Sequence, residues 1–315
     1  MREVIRDVSV SSESLIFRAG RILPQSFVAS LWYEPWCRPG QYSRFLFKNY
    51  LVRRRTPAIP SALWAIDNLT EANYHHWLID ALPRIVHAEE LFPEVPVLLL
   101  PEHYQRQRYV QFTLKAFPRW RIRWIGSRER VLVRELSFVP YSPPLRIGGP
   151  PAYRRDLLQR VATSVGALAE PQSSGRRLYF SRDTAERRRA RNEREVVRVL
   201  ETFGVERISL DGSRPSEQVE MSRAADLIVG VHGAALSNAL FMPSGGALIE
   251  LTRREREDIY LPANYRVLAE TMGHRYVPVR CALAEPAEGW QSNHADLSVD
   301  LDALREALQL ATSRL

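Results

Sequence analysis

The sequence predicts an α/β protein of two units, the second built on a parallel sheet with helices on both faces. Three observations carry this expectation. The chain has 315 residues, enough for two cores of ordinary size. From Tyr153 onward, apolar strands and amphipathic helices alternate, the rhythm of a parallel sheet. Between the halves Pro140, Pro143, Pro144, Gly148, Gly149, Pro150 and Pro151 crowd together, the composition of a linker. The boundary is accordingly placed at 145/146, giving units 1–145 and 146–315.

Residues 1–60 read as short strands and loops, rich in aromatics such as Trp32, Tyr33, Trp36, Tyr42, Phe45, Phe47 and Tyr50. Residues 64–67 suggest a strand and 73–91 a helix. Residues 95–100 form a short apolar run bounded by prolines, which fits a buried strand. A helix over 104–117 and strands over 121–125 and 131–139 complete the first half. In the second half, helices are expected over 153–168, 192–203, 215–225, 234–241 and 302–311. Strands are expected over 177–181, 205–210, 227–231 and 247–251. Asn192 is expected to cap its helix, with Glu195 three residues later and Gly204 just past the end.

Bulk properties exclude several classes. No run of 18 apolar residues occurs, so no membrane-spanning helix is expected. Met1 to Val10 carries acidic residues and no long apolar core, unlike a signal peptide. Cys37 and Cys281 are too far apart in sequence for a metal-binding spacing. A disulfide between them is an alternative, but a reducing, cytoplasmic location is the expectation. The net charge is +8, and all of the excess lies in residues 1–150. That half could attract anionic lipid, nucleic acid or an acidic glycan, or could reflect only a preference for arginine. No zinc finger, RNA-binding aromatic motif or basic heptad array supports a nucleic-acid partner.

Two constellations carry chemistry. In the second half, an apolar strand runs into His232-Gly233-Ala234 and an expected helix. Strand ends in open sheets face ligands, and a helix start offers N–H groups to an anion. Gly233 would let a phosphate approach, although a tight turn needs no ligand. Glu250, at the end of the next expected strand, suits a ribose diol or simple exposure. Arg182, Arg187, Arg188, Arg189 and Arg191 either clamp a diphosphate or form a solvated loop. In the first half, a wheel at 100° per residue places Asn73, His76, Trp77, Asp80, Arg84 and His87 on one face. The aliphatic residues fall opposite. Trp with His and Asp is an unusual mixture for a solvated face, and Pro83 would loosen the helix. An amphipathic surface helix is the alternative.

Four segments in order resemble glycosyltransferase family 61. They are Asn73 to Arg84; Phe180-Ser181-Arg182 with Arg188 to Glu193; Val229 to Asn238; and Leu248-Ile249-Glu250-Leu251. Ala190 departs from the pattern, where a larger aliphatic residue is common. The resemblance implies a GT-B-like fold, two Rossmann-like lobes with parallel sheets facing a cleft. The first lobe would take the acceptor and the second the donor. It implies inverting transfer from a nucleotide sugar, UDP-linked in the favoured reading, to a glycan or lipid-linked glycan. Capsular or other cell-surface polysaccharide synthesis is the implied setting, with peripheral contact at the inner membrane face. No cofactor beyond the donor co-substrate is expected. Transfer without a divalent metal is expected too, on the reading that the chain has no D-x-D motif. Asp80 is favoured as base with His76 as its partner; Asn73, Trp77 and Arg84 are assigned to the acceptor side. Arg182, Arg188, His232, Gly233, Ala234, Asn238 and Glu250 are assigned to the donor. The alternatives are a sugar-nucleotide epimerase and a non-catalytic glycan- or nucleotide-binding protein.

Overall fold

The computed structural model describes residues 2–27, 39–66, 73–140, 153–170, 175–253, 264–285 and 294–313. Trp32, Tyr33, Trp36, Cys37, Asp67 and the linker beyond Pro140 lie outside the described residues. The chain forms two compact units, Met1–Val165 and Gly166–Leu315. They divide at 165/166, twenty residues past the expected boundary at 145/146, because the helix Arg155–Gly166 belongs with the first up to its last residue. Arg160 pairs with Glu89 and Glu90, and Arg154 approaches His87.

The first unit's sheet has the order β3-β2-β1-β8-β5-β6-β7, with β4 beside β8. These strands are β1 Glu3–Ser11, β2 Ile16–Arg18, β3 Arg21–Ile22, β4 Arg54–Arg55, β5 Ile59–Trp64, β6 Val97–Pro101, β7 Arg121–Ile125 and β8 Glu129–Phe138. β5, β6, β7 and β8 pair in parallel. β1 runs antiparallel to both β2 and β8, and β2 to β3. The expectation of a parallel sheet in this lobe is therefore corrected to a mixed one. The cause is loop length: a parallel crossover needs about a dozen residues, and β1, β2 and β3 are joined by far fewer. Ala19 (φ 48°) and Gly20 (φ 77°) make the left-handed two-residue turn that closes β2 on β3. The reading of 1–60 as strands and loops also missed the helix Pro39–Leu46 and the π-turn Phe47–Leu51 that continues it.

The second unit's sheet has the order β10-β9-β11-β12-β13-β14. The strands are β9 Arg176–Ser181, β10 Glu206–Ser209, β11 Ala225–Val231, β12 Ala247–Arg253, β13 Arg275–Leu283 and β14 Leu297–Ser298. All pairs are parallel except β13 with β14. Chain order reverses between β9 and β11, so their carboxyl ends flank a crevice where such sheets bind ligands. Leu227, Val229, Val231, Ile249, Leu251, Val277 and Val279 pack one face against the helices Glu193–Glu201 and Leu301–Thr312. Helices Pro215–Arg223 and Asn264–Met272 each pack against the segment Ala234–Phe241. The helix Asn264–Met272 and the strands β13 and β14 were not anticipated. Asn192 stands at the N-cap as expected, but its side chain makes no capping bond. Its amide bonds both the N–H and the C=O of Val299, tying helix Glu193–Glu201 to the C-terminal segment.

Candidate active site

In the first unit, Asn73 starts the 74–91 helix: its Oδ1 accepts N–H bonds from His75 at 2.9 Å and His76 at 3.4 Å. An α-turn at Tyr74–His76 passes into a π-turn at Trp77–Ala81 and returns to α-helix at Leu82–Leu91. The π-turn ends just before Pro83, where the missing N–H and the ring make ordinary α pairing costly. This is the loosening expected of that proline.

The inserted π-turn shifts the phase of the residues beyond it, Arg84 and His87 among them, and packing already takes Trp77, at its start, off the polar face. Trp77 is 0% exposed and its indole N–H donates to Thr113 Oγ1 at 2.8 Å. Arg84 is buried, donates to Val139 O at 2.6 Å and stacks over the Phe138 ring. Both are corrected from acceptor-facing groups to parts of the core, and Asn73 acts as the helix cap. His87 is buried too, and burial first, then Arg154, holds its imidazole below the usual range. What remains on the polar face is one pair. His76 Nδ1 lies 2.6 Å from Asp80 Oδ2, with side chains 18% and 9% exposed. The His75 ring meets His76 edge-on.

In the second unit, β9 and β11 deliver Arg182 and His232 to neighbouring strand ends. Arg182 donates to the backbone oxygens of Arg187 and Arg188, each at 3.2 Å. Arg188, at φ 57°, donates to His232 O at 3.3 Å. A left-handed arginine is a strained turn, and strain of this kind collects at functional positions. Among the described residues no carboxylate pairs with Arg182, and burial pushes its guanidinium below the usual range. Gly233 has an extended backbone open to any residue. Its value is space: a Cβ there would stand 3.0 Å from Arg182 Nη1.

Three donor assignments change. Glu250 sits within β12, not at its end, and is 4% exposed. One of its carboxylate oxygens bonds His232 Nδ1 and the other accepts from Tyr276 Oη at 2.6 Å. Both of its carboxylate oxygens thus hold protein partners. Asn238 is fully buried and donates to Ala235 O, shaping the turn. Ala234 opens a 3-10 segment, Ala234–Phe241, so the full dipole of an α-helix start is absent. The sequence reading missed Tyr276 and Tyr265, whose ring meets His232 edge-on at 5.1 Å. The alternation of Val277, Val279 and Cys281 was the available signal for β13.

The other arginines have structural work. Arg189 and Arg191 converge on Asp296, which also accepts the Arg189 N–H. The chain does contain one D-x-D sequence, Asp300-Leu301-Asp302, correcting the expectation of none. There Asp300 Oδ1 caps the terminal helix and Asp302 pairs with Arg305.

Comparison with known proteins bears directly on these residues. The family Glycosyltransferase 61 matches residues 74–249, more than half of the chain. The EGF domain-specific O-linked N-acetylglucosamine transferase of Drosophila melanogaster is 34% identical over 109 residues, covering 34% of this chain and 20% of that protein. The alpha-1,3-arabinosyltransferase XAT2 of Oryza sativa subsp. japonica is 31% identical over 116 residues, 36% of this chain and 20% of that protein. The Gallus gallus EGF domain-specific transferase is 27% identical over 187 residues, 53% and 34%. The chain thus spans between a fifth and a third of the length of these relatives. The family match begins within the helix that carries His76 and Asp80, takes in Arg182, Arg188, His232 and Gly233, and ends in β12 one residue before Glu250, and the chain belongs to glycosyltransferase family 61.

Proposed function

We propose that the chain transfers a sugar with inversion from a nucleoside diphosphate sugar to a glycan hydroxyl. One observation carries the reading: a half-buried guanidinium, Arg182, with no carboxylate partner among the described residues, beside Gly233 and His232 at the switch point of a parallel sheet. An unpaired cation in that position suits a phosphate anion. In this proposal Arg182 and Arg188 hold the diphosphate and balance its charge as it leaves, in place of a metal. His232, fixed by Glu250, contributes a further bond. The GT-B assignment, UDP as the nucleotide, the cell-surface glycan acceptor and a cytoplasmic location belong to the same proposal.

The acceptor hydroxyl attacks the anomeric carbon, the bond from that carbon to the diphosphate oxygen breaks, and the hydroxyl proton passes to a base. The His76–Asp80 pair supplies it. The more exposed member, His76, takes the proton and Asp80 orients it, the reverse of the sequence-based preference. A carboxylate bonded to Nδ1 holds the tautomer in which Nε2 carries the lone pair. Nucleotide calorimetry and sugar-transfer rates test both parts. Arg182→Ala is expected to weaken UDP binding. His76→Ala and Asp80→Asn are expected to bind UDP normally and to turn over about 10²–10⁴-fold more slowly. Rates that survive in both helix variants would remove the base assignment. Rates that vanish with a chelator and return only with manganese would remove the metal-free mechanism.

A further inference from the structure

Large apolar side chains are rarely left in water as a group, and on this chain three sit together. Phe47, Leu51 and Val52 are 63%, 68% and 64% exposed. The π-turn explains the grouping. The Val52 N–H bonds Phe47 O at 3.0 Å, bringing residues 47 and 52 one wide turn apart with Leu51 between. The other side of the same element is satisfied: Tyr42, Leu46 and Tyr50 pack on Leu15, Phe17, Ile22 and Phe27, and Asn49 is buried against Glu13. The exposed trio is therefore not a misplaced core face.

The segment that carries it has charges of one sign. Between Pro39 and Ala58 the sequence holds Arg44, Lys48, Arg53, Arg54 and Arg55 and no acidic residue. Arg53 is buried on Glu13, which Lys48 also pairs, while Arg44, Arg54 and Arg55 are exposed.

We propose that this patch docks the protein on an anionic lipid bilayer, with Phe47, Leu51 and Val52 entering the interface and Arg44, Lys48, Arg54 and Arg55 meeting lipid phosphates. Apolar residues ringed by cations are the combination that holds a protein in the plane of such a surface. No described helix is long and apolar enough to cross a membrane; the proposal is of docking at the surface. A second copy is the poorer occupant, because a symmetric contact would bring the exposed Arg44, Arg54 and Arg55 of one copy toward the same cations of the other, while Glu13 is already engaged by Lys48 and Arg53.

Co-sedimentation of the whole chain with vesicles tests this, using phosphatidylcholine alone and with about 30 mol% phosphatidylglycerol. The expected result is binding to the anionic vesicles only, falling about tenfold or more in both F47S/L51S and R54E/R55E. Circular dichroism checks that both variants fold. No binding to anionic vesicles, unchanged binding in either variant, or a dimer that F47S/L51S abolishes in place of vesicle binding would overturn the proposal. Phe47, Leu51, Arg54 and Arg55 are none of the residues assigned to donor binding or to proton transfer, so UDP affinity and the rate of sugar transfer to a soluble acceptor stay at wild-type values in both variants. A failure here is thereby separable from a failure of the transferase reading.

Discussion

Gly233→Ala separates the role of space from that of backbone freedom. The extended backbone at Gly233 accepts alanine without strain, so any effect must come from the new methyl group. That methyl would sit 3.0 Å from Arg182 Nη1 and 3.6 Å from Val231 O. Only the first contact is tighter than ordinary packing, so the guanidinium must retreat by roughly half an ångström. Arg182 is anchored by two 3.2 Å bonds to backbone oxygens and cannot yield without loosening them. If that displacement breaks one charge-assisted bond to a phosphate, the loss is about 1.5–3 kcal/mol. UDP affinity should then fall about 10- to 150-fold. Fold stability should change by less than about 0.5 kcal/mol, since only a side-chain end moves. Calorimetry on Gly233→Ala, Arg182→Ala and the double variant is the assay. Because the methyl acts through Arg182, the double variant should bind no more weakly than Arg182→Ala alone. Wild-type affinity in Gly233→Ala, or additive losses in the double variant, would refute the argument.

Glu250→Gln keeps the shape but not the charge, and should lower UDP affinity several-fold while leaving the circular dichroism spectrum unchanged; Glu250→Ala should also cost about 1–3 kcal/mol in urea melts, because His232 and Tyr276 lose a buried acceptor. Trp77→Phe should cost about 1–2 kcal/mol of stability through the lost Thr113 bond, yet leave the acceptor KM unchanged, as a core residue requires. Asp296→Asn should destabilise the second unit by about 2 kcal/mol at neutral pH. Burial pulls the Asp296 carboxyl up, but the Arg189 N–H and guanidinium outweigh it and hold it below its ordinary value of 3.8. A depressed carboxylate stabilises above its unfolded pKa and loses that contribution as pH falls through the folded one. The gap in Tm between wild type and Asp296→Asn should therefore stay constant above about pH 5 and close below about pH 4.

Much of this protein was legible in the chain because the relevant signals are local. Strand β7 follows the apolar and charged pattern of 121–125 to the residue, and β9 starts one residue earlier than its pattern. The His76–Asp80 pair follows from i,i+4 spacing, which brings two side chains of one helix together whatever surrounds them. The crossovers of the second unit follow from alternating periodicity, since helices of that length between strands leave little choice but parallel pairing.

Tertiary structure alone decided the rest. A helical wheel carries no knowledge of a π-turn or of what packs on the helix, so only the folded chain shows that Trp77, bonded to Thr113, and Arg84 turn inward. Antiparallel pairing of β1 reflects which partner the whole chain can offer it, here β8, more than a hundred residues away. Glu250 reads as a strand-end acid until β13 brings Tyr276 alongside and β11 brings His232. Arg182 and Gly233 meet because β9 and β11 are adjacent although β10 lies between them in sequence. Periodicity records which face of an element is apolar. Which elements then become neighbours is set by burying all those faces at once, a property of the whole chain that no short segment contains.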